Sequence, residues 1–208
     1  MINNNYTVRL EMKKDWNEVE NLTREAFWNK YCPGCSEHFI LHQFRNRPDF
    51  VKELDYVIEK NDRIVAHIMY CKSEIVHDNG QIIPIMTFGP VSVLPECQGK
   101  GYGSELIRFT MGKALELGCG AIVITGNPDY YHRFGFVSGH SMQIYYAAVP
   151  RDEEAPFFMV KELQSGYLSG VTGIFQDPDG YMVEDTDVEK FDVNFSPKEK
   201  KKLPGQLA

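Results

Sequence analysis

Apolar residues along the chain follow two different spacings, and these spacings predict where helices and strands form. Apolar positions recur every three or four residues in 15–28, 36–46 and 101–117, which predicts three amphipathic helices. A fourth, short helix is predicted over 128–134, where a proline opens the segment. Alternating or continuous apolar runs predict seven strands, at 6–12, 54–60, 63–71, 81–94, 121–125, 142–149 and 155–163.

The order of these elements predicts a mixed α/β domain with a central mixed sheet of about seven strands and about four helices over 1–163. The run 121–125 is wholly apolar, which is typical of a central strand covered on both faces. Gly89 and Pro90 interrupt another strand, so we expect a bulge or splay there. Residues 164–208 are rich in glycine and charge, and we expect an extension packed on the domain with a frayed end.

Composition narrows the class of protein. The 208 residues carry a formal net charge of −7, whereas a nucleic-acid-binding protein normally shows a basic face. No apolar run approaches the ~20 residues that span a bilayer, and the first residues have no apolar signal-peptide core. The five cysteines are an odd, scattered set, which argues against a secreted disulfide scaffold. We therefore expect a soluble cytoplasmic protein with no nucleic-acid or membrane partner.

The stretch "CQGKGYGSEL" places three glycines between a predicted strand and a predicted helix. The Walker pattern is excluded because no Gly-Lys-Ser/Thr ends the loop. The dinucleotide pattern is excluded because its third glycine position is Ser104. Two interpretations stay open at this point: a turn whose amide groups bind an anion at a helix start, and a tight turn without a ligand.

Two motifs together indicate a family. "VSVLPECQGKGYG" at 91–103 resembles motif A of the GCN5-related N-acetyltransferase (GNAT) superfamily, and "YYHRFGF" at 130–136 resembles its Y-x-x-x-G-F element. The order of predicted elements over about 5–163 is similar to that fold. Three runs, "GCSEHFILHQFR", "HIMYCKSEIV" and "PDYYHRFGF", resemble the YhbS-like predicted acetyltransferases within the superfamily.

The resemblance implies that the chain binds acetyl-CoA in a sheet splayed between its fourth and fifth strands. The pantetheine arm would follow the edge of the fourth strand, and the pyrophosphate would lie on the glycine loop. The implied cofactor-binding residues are Val91, Val93, Gln98, Gly99, Lys100, Gly101, Tyr102, Gly103, Ser104, Asn127 and Tyr131. One departure concerns an asparagine that many members carry, whose position here is Ile124.

The implied reaction is direct transfer of acetyl to an amine of an unidentified small molecule or protein. Tyr131 is the expected general acid for the departing thiolate, with a packed aromatic ring as the alternative role. Glu37 and His38 are the candidates for deprotonating the amine; His67 and an ordered-water relay are alternatives. A non-catalytic acyl-CoA-binding sensor, a nucleotide-binding protein and a homodimeric assembly also stay open.

A last motif combines two cysteines and two histidines, Cys32, Cys35, His38 and His42. All four residue types suit zinc, and the histidines lie on one helix face. However, no second C-x2-C is present and the motif is compact for a closed tetrahedral site. We expect an ordinary turn followed by a substrate-side helix, with no metal, and keep a metal site or a redox pair as alternatives.

Overall fold

A computed structural model describes residues 5–206 of the chain. Within that range it contains helices α1 to α5, which are Trp16–Phe27, Glu37–Phe44, Tyr102–Glu116, Pro128–Tyr131 and Asp185–Asp192. Strands β1 to β9 are Thr7–Leu10, Tyr56–Lys60, Arg63–His77, Ile82–Val93, Ala121–Thr125, Val137–Ser138, Ile144–Tyr146, Phe158–Glu162 and Gly173–Phe175. The predicted mixed α/β fold is confirmed, with two more strands and one more α-helix than the apolar pattern indicates.

The chain forms two compact units, and β3 and β4 each run through both. The first unit comprises the chain up to Met69, Pro90–Ile107 and the chain from Asp179 onward; the second comprises Tyr70–Gly89 and Arg108–Pro178.

In the first unit, three antiparallel strands support two amphipathic helices. Strand β2 lies between β1 and the first half of β3, with Val8 opposite Ile58 and Val57 opposite His67. Helix α1 forms because its buried residues recur at helical spacing, as at Val19, Leu22 and Ala26. Helix α2 likewise buries Ile40, Leu41 and Phe44.

The segment from Asp179 onward packs on these two helices. The side chain of Gln43 donates to the carbonyl oxygen of Gly180 at 2.5 Å, and the ring of Phe44 lies 4.8 Å from that of Tyr181. The indole of Trp28 donates to the carbonyl oxygen of Glu199 at 3.0 Å. The predicted domain boundary at 163 stays a prediction, and the last two residues of the predicted frayed end lie outside the described range.

In the second unit, β5 occupies the centre, as its apolar run predicts. It pairs in parallel with β4 and antiparallel with β8, and β8 also pairs with β6. Strand β9 pairs with the second half of β3 and in parallel with β7. The core of this unit contains Ile85, Val123, Phe158, Val160 and Phe175.

Pairing between β4 and β5 is short. It consists of Met86 opposite Ile122 and Thr87 opposite Val123, whereas β4 continues to Val93. Gly89 follows the last pair with a φ of 145°, a conformation that favours glycine. Pairing between these two strands therefore ends two residues before Gly89, within the second unit.

One predicted strand is much shorter than expected. The run 142–149 forms a strand only at Ile144–Tyr146, because a 3-10 turn occupies His140–Met142 and Gln143 adopts a φ of 59°. Its partner is β9, inside the segment predicted to be an extension. No helix among residues 5–206 combines the length and the apolar character needed to cross a membrane.

Candidate active site

The glycine loop connects β4 to α3 in the first unit. A 3-10 turn at Pro95–Cys97 ends β4, and Gly99 and Gly101 have φ values of 72° and 93° before α3 begins at Tyr102. The amides of a helix's first turn have no partner within the helix, so they point forward as donors. Left-handed glycines therefore bring bare backbone to the start of a helix, the arrangement that suits a phosphate.

Two side chains of this loop donate hydrogen bonds to nearby backbone carbonyl oxygens. The amide of Gln98 donates to the carbonyl oxygen of Val93 at 3.0 Å, and the ammonium of Lys100 donates to that of Glu96 at 2.6 Å. Tyr102 is only 3% exposed, and its ring packs edge-on against that of Tyr6 at 5.7 Å. Tyr102 can therefore contact a ligand through its backbone N–H, whereas its side chain is buried.

Strand β4 presents alternate residues outward just before the loop. Val91 and Val93 are half-buried, whereas Ser92 and Leu94 between and after them are buried. The hydroxyl of Ser92 donates to that of Thr23 at 2.9 Å, which fixes the inward face of the strand. The two valines therefore lie on the same side of β4. Ser104, in the first turn of α3, is half-buried.

Three cations lie around the loop. The spacing of apolar residues in the sequence does not identify them as a group. The ammonium of Lys60 donates to the hydroxyl of Tyr102 at 2.8 Å, and Arg63 forms an ion pair with Glu96 at 2.9 Å. Lys100 is the third cation. The pKa of Glu96 lies below its usual range because of a backbone hydrogen bond and then the charges of Arg63 and Lys100. Lys60 and Tyr102 are far apart in sequence, as are Arg63 and Glu96, so only the fold brings each pair together.

In the second unit, Tyr131 ends the short helix α4. Asn127 caps this helix: its side-chain oxygen accepts from the backbone N–H of Asp129 at 3.0 Å. The ring of Tyr131 is half-buried, 6.1 Å from that of Phe88 and 6.0 Å from that of Phe136. The predicted acid is therefore held by aromatic packing. Ile124, at the position where many GNAT members carry asparagine, is buried.

Glu37 and His38 begin α2 in different surroundings. Glu37 is half-buried, accepts from the backbone N–H of Ser36 at 3.1 Å, and burial raises the pKa of its carboxyl. His38 is fully buried, with Nδ1 3.5 Å from Sγ of Cys35 and Nε2 3.2 Å from a carboxylate oxygen of Asp192. Burial lowers the pKa of His38 to about 4, so the imidazole is neutral near pH 7.

The other members of the cysteine–histidine motif have separate partners. Cys32 is exposed, whereas Cys35 is buried and its thiol donates to the carbonyl oxygen of Arg24 at 3.7 Å. Nδ1 of His42 lies 2.9 Å from a carboxylate oxygen of Glu20. Each of these three side chains therefore lies in a different local environment.

A different grouping has a geometry suited to a metal. Among the described residues, Glu11, Asp55 and His67 place one ligand atom each within 4.8 Å of one another. Nε2 of His67 lies 2.7 Å from Asp55, and Arg45 pairs with Glu11 at 2.5 Å. His67 is fully buried, and burial lowers its pKa to about 4. A buried polar network that joins β1, β2, β3 and α2 accounts for this grouping.

Comparison with known proteins agrees with the motifs. A family model described as an acetyltransferase (GNAT) domain matches residues 7–138. The uncharacterized N-acetyltransferase YhbS of Escherichia coli is 30% identical over 172 residues, which is 81% of this chain and 94% of the relative. The uncharacterized N-acetyltransferase YjhQ of the same species is 26% identical over 151 residues, 72% of this chain and 79% of the relative.

Two solved structures share the fold. A crystal structure of YhbS from E. coli in complex with CoA matches with a TM-score of 0.73 at 20% identity, covering 85% of this chain and 92% of the other. A GNAT family acetyltransferase from Brucella melitensis in complex with acetyl-CoA matches with a TM-score of 0.66 at 24% identity, covering 85% and 98%.

Proposed function

This chain belongs to the GNAT acetyltransferase family, and from that premise we propose that it transfers acetyl from acetyl-CoA to an amine. The observation that carries the proposal is the loop at Gly99 and Gly101, whose left-handed glycines precede the start of α3. The loop amides would hold the pyrophosphate of the cofactor, with Ser104 adding a hydroxyl. Val91 and Val93 would line the pantetheine arm, and Asn127 would contact the cofactor through its side-chain nitrogen while its oxygen caps α4.

The reaction is a direct displacement. The amine nitrogen attacks the thioester carbonyl carbon, the C–N bond forms, and the C–S bond breaks to release the CoA thiolate. Holding the two reactants at attack distance contributes several kcal/mol. A backbone N–H near Val93 would stabilise the oxyanion that develops on the carbonyl oxygen.

Three proton transfers accompany the reaction: the ammonium loses one proton before attack, the nitrogen loses a second as the amide forms, which can restore the phenol of the acid, and the departing thiolate gains one. Tyr131 would protonate the departing thiolate, since a phenol can donate its proton to a thiolate held nearby. The attacking ammonium must first lose a proton. Of the two residues predicted for that role, we favour Glu37, since it is half-buried and burial raises the pKa of its carboxyl, which makes it a stronger base. His38 is completely buried beside Asp192, which makes it a weaker candidate.

Cofactor binding is tested first. Thermal shift with acetyl-CoA, free CoA, ATP and NAD should show stabilisation by the two CoA species. Stabilisation by ATP alone would overturn the acetyltransferase proposal.

Turnover is tested by screening small amines and lysine peptides for release of free thiol. Tyr131→Phe should lower the turnover number about 100-fold while CoA affinity stays close to that of the wild type. Tyr130→Phe is the matched control, because it removes a neighbouring phenol on the same helix. Binding of CoA without thiol release from any amine would favour the non-catalytic sensor instead.

We further propose a cytoplasmic protein that acts on a small-molecule or protein amine. Light scattering during gel filtration distinguishes a monomer of 23.9 kDa from the homodimer that sequence analysis leaves open.

A further inference from the structure

The β2–β3 turn and the glycine loop bring three cations together in the first unit. Lys60 ends β2, Arg63 begins β3, and Lys100 lies between two glycines of the loop. Lys60 is tied to Tyr102 at 2.8 Å, Arg63 to the carboxylate of Glu96 at 2.9 Å, and Lys100 to the backbone oxygen of Glu96 at 2.6 Å. All three cations are therefore anchored to one stretch of seven residues, 96–102.

This cluster stands out against the charge of the whole chain. The protein carries a net charge of −7, yet among the described residues these three cations form an ion pair with one carboxylate, that of Glu96; the exposed Asp62 lies between Lys60 and Arg63 in the turn. The cations also keep solvent access: the Arg63 side chain is 59% exposed, Lys100 is exposed and Lys60 is half-buried. An accessible excess of positive charge beside a phosphate-binding turn is suited to a second anionic group of the same ligand.

We propose that Lys60, Arg63 and Lys100 bind the 3′-phosphate of CoA and thereby select CoA over its 3′-dephospho form. This inference rests on the proposed function, since it assumes that the loop amides hold the pyrophosphate. The two phosphate groups differ in chemistry. The pyrophosphate is a bridging diester that backbone N–H groups can cradle, whereas the 3′-phosphate is a monoester with a charge of about −1.5 to −2 at pH 7.

The arrangement also assigns a role to Glu96. Its carboxylate oxygen lies 2.9 Å from Nη1 of the Arg63 guanidinium. A phosphate monoester carries more charge and offers more acceptor oxygens than a carboxylate, so it can replace Glu96 as the partner of Arg63. Glu96 therefore competes with the phosphate, and its removal should strengthen the preference for CoA rather than weaken it.

A hydrogen bond to Tyr102 holds the Lys60 ammonium in place beside the loop. This bond to the Tyr102 hydroxyl raises the pKa of the ammonium above its usual value. The Tyr102 ring lies 5.5 Å from the ammonium and supplies a further favourable contact with the cation. Tyr102 is thus a positioning residue for Lys60.

The test measures the affinity of the full chain for CoA and for 3′-dephospho-CoA by calorimetry. The wild type should bind CoA about tenfold more tightly, and this preference should shrink as KCl rises. Arg63→Gln and Lys60→Met should each reduce the preference about threefold without changing the affinity for 3′-dephospho-CoA. Glu96→Gln should increase the preference. Lys52→Met, which removes an exposed lysine outside the cluster, should leave it unchanged.

The outcomes separate this inference from the proposed function. Equal wild-type affinity for the two ligands, or a preference that survives both Arg63→Gln and Lys60→Met, overturns the phosphate site while acetyl-CoA binding stands. Failure to bind either ligand overturns the proposed function itself. The two single variants have separate partners, so a folding defect in one leaves the other as the decisive measurement.

Discussion

Arg24 of α1 forms a two-pronged ion pair with Asp192, the last residue of α5. The Nε–Oδ1 distance is 2.5 Å and the Nη2–Oδ2 distance is 3.0 Å. Arg24 is 1% exposed and is also covered by the Trp28 ring, whose centroid lies 4.2 Å from its guanidinium carbon. Burial alone would raise the pKa of Asp192, but the hydrogen bonds from Arg24 outweigh it and lower the pKa.

Asp192→Ala should therefore lower the free energy of unfolding by about 3 kcal/mol, because it leaves a buried guanidinium without its carboxylate. Chemical denaturation followed by circular dichroism measures the loss. Asp187→Ala on the same helix is the control, since its pair with Lys190 is exposed and should contribute little. Equal effects of the two substitutions would show that the Arg24 pair does not hold the last helix.

The buried carboxyl of Glu11 should make stability depend on pH above neutrality. Burial raises its pKa from 4.5 to about 8, so the folded chain binds a proton that the unfolded chain has already lost. This contribution is complete below about pH 4.5 and is lost as the pH rises through 8. His38 and His67, with pKa values lowered to about 4, are neutral in both states at the upper end of this range.

We expect the free energy of unfolding to fall by about 1 kcal/mol between pH 6.5 and 8, because the loss of protons from the unfolded forms of His38 and His67 offsets part of the Glu11 effect at the lower end. Glu11→Gln, which stays neutral, should flatten this slope. Glu53→Gln removes an exposed carboxylate and should keep the wild-type slope. A slope that persists in Glu11→Gln would assign the proton to another group.

Gly99→Ala tests whether the left-handed loop matters for the cofactor. An added Cβ at Gly99 meets no atom within 4 Å, so the cost comes from the φ of 72° alone, about 1 kcal/mol. Gly80 is a matched position in the β3–β4 turn, with a φ of 85° and equally open space. Both alanine variants should lose similar stability, but only Gly99→Ala should weaken CoA binding. Similar CoA affinities in the two variants would contradict the assignment of the loop.

Gly126→Ala tests the position of Tyr131 without removing its hydroxyl. A Cβ at Gly126 would lie 2.5 Å from Cε2 of the Tyr131 ring, closer than real contacts, so the ring must shift. Turnover should fall while CoA affinity changes little, because a displaced acid no longer reaches the thiolate. Gly112→Ala in α3 is the control, since its Cβ would meet nothing within 4 Å. Unchanged turnover in Gly126→Ala would argue against Tyr131 as the acid.

Sequence patterns predicted the long elements because each buries one continuous face. The helix over 15–28 and the strand over 121–125 are recovered as α1 and β5 almost to the residue. Strands β6 and β9 have two and three residues, too few to show an alternation. Their existence depends on partners elsewhere in the chain, such as the pairing of β9 with β3.

The candidate site likewise contains features that local sequence predicts and features that only the fold creates. Local motifs single out the glycine loop and Tyr131, because each motif is a short run of neighbouring residues, and their roles stay predictions. Lys60 and Arg63 join the loop only through the fold. The burial of His38 was not predictable either, because it depends on Asp192, far along the chain.

The Arg24–Asp192 pair joins residues 168 positions apart. During synthesis Arg24 is therefore made long before its partner. Every segment of the second unit leaves the ribosome before Asp179, the start of the last segment of the first unit. Until the segment from Asp179 onward is made, α1 and α2 have an uncovered face and Arg24 lacks Asp192, whereas all of the second unit is already present. Completion of the first unit thus depends on α5, so termination before α5 should yield a chain prone to aggregation through α1 and α2.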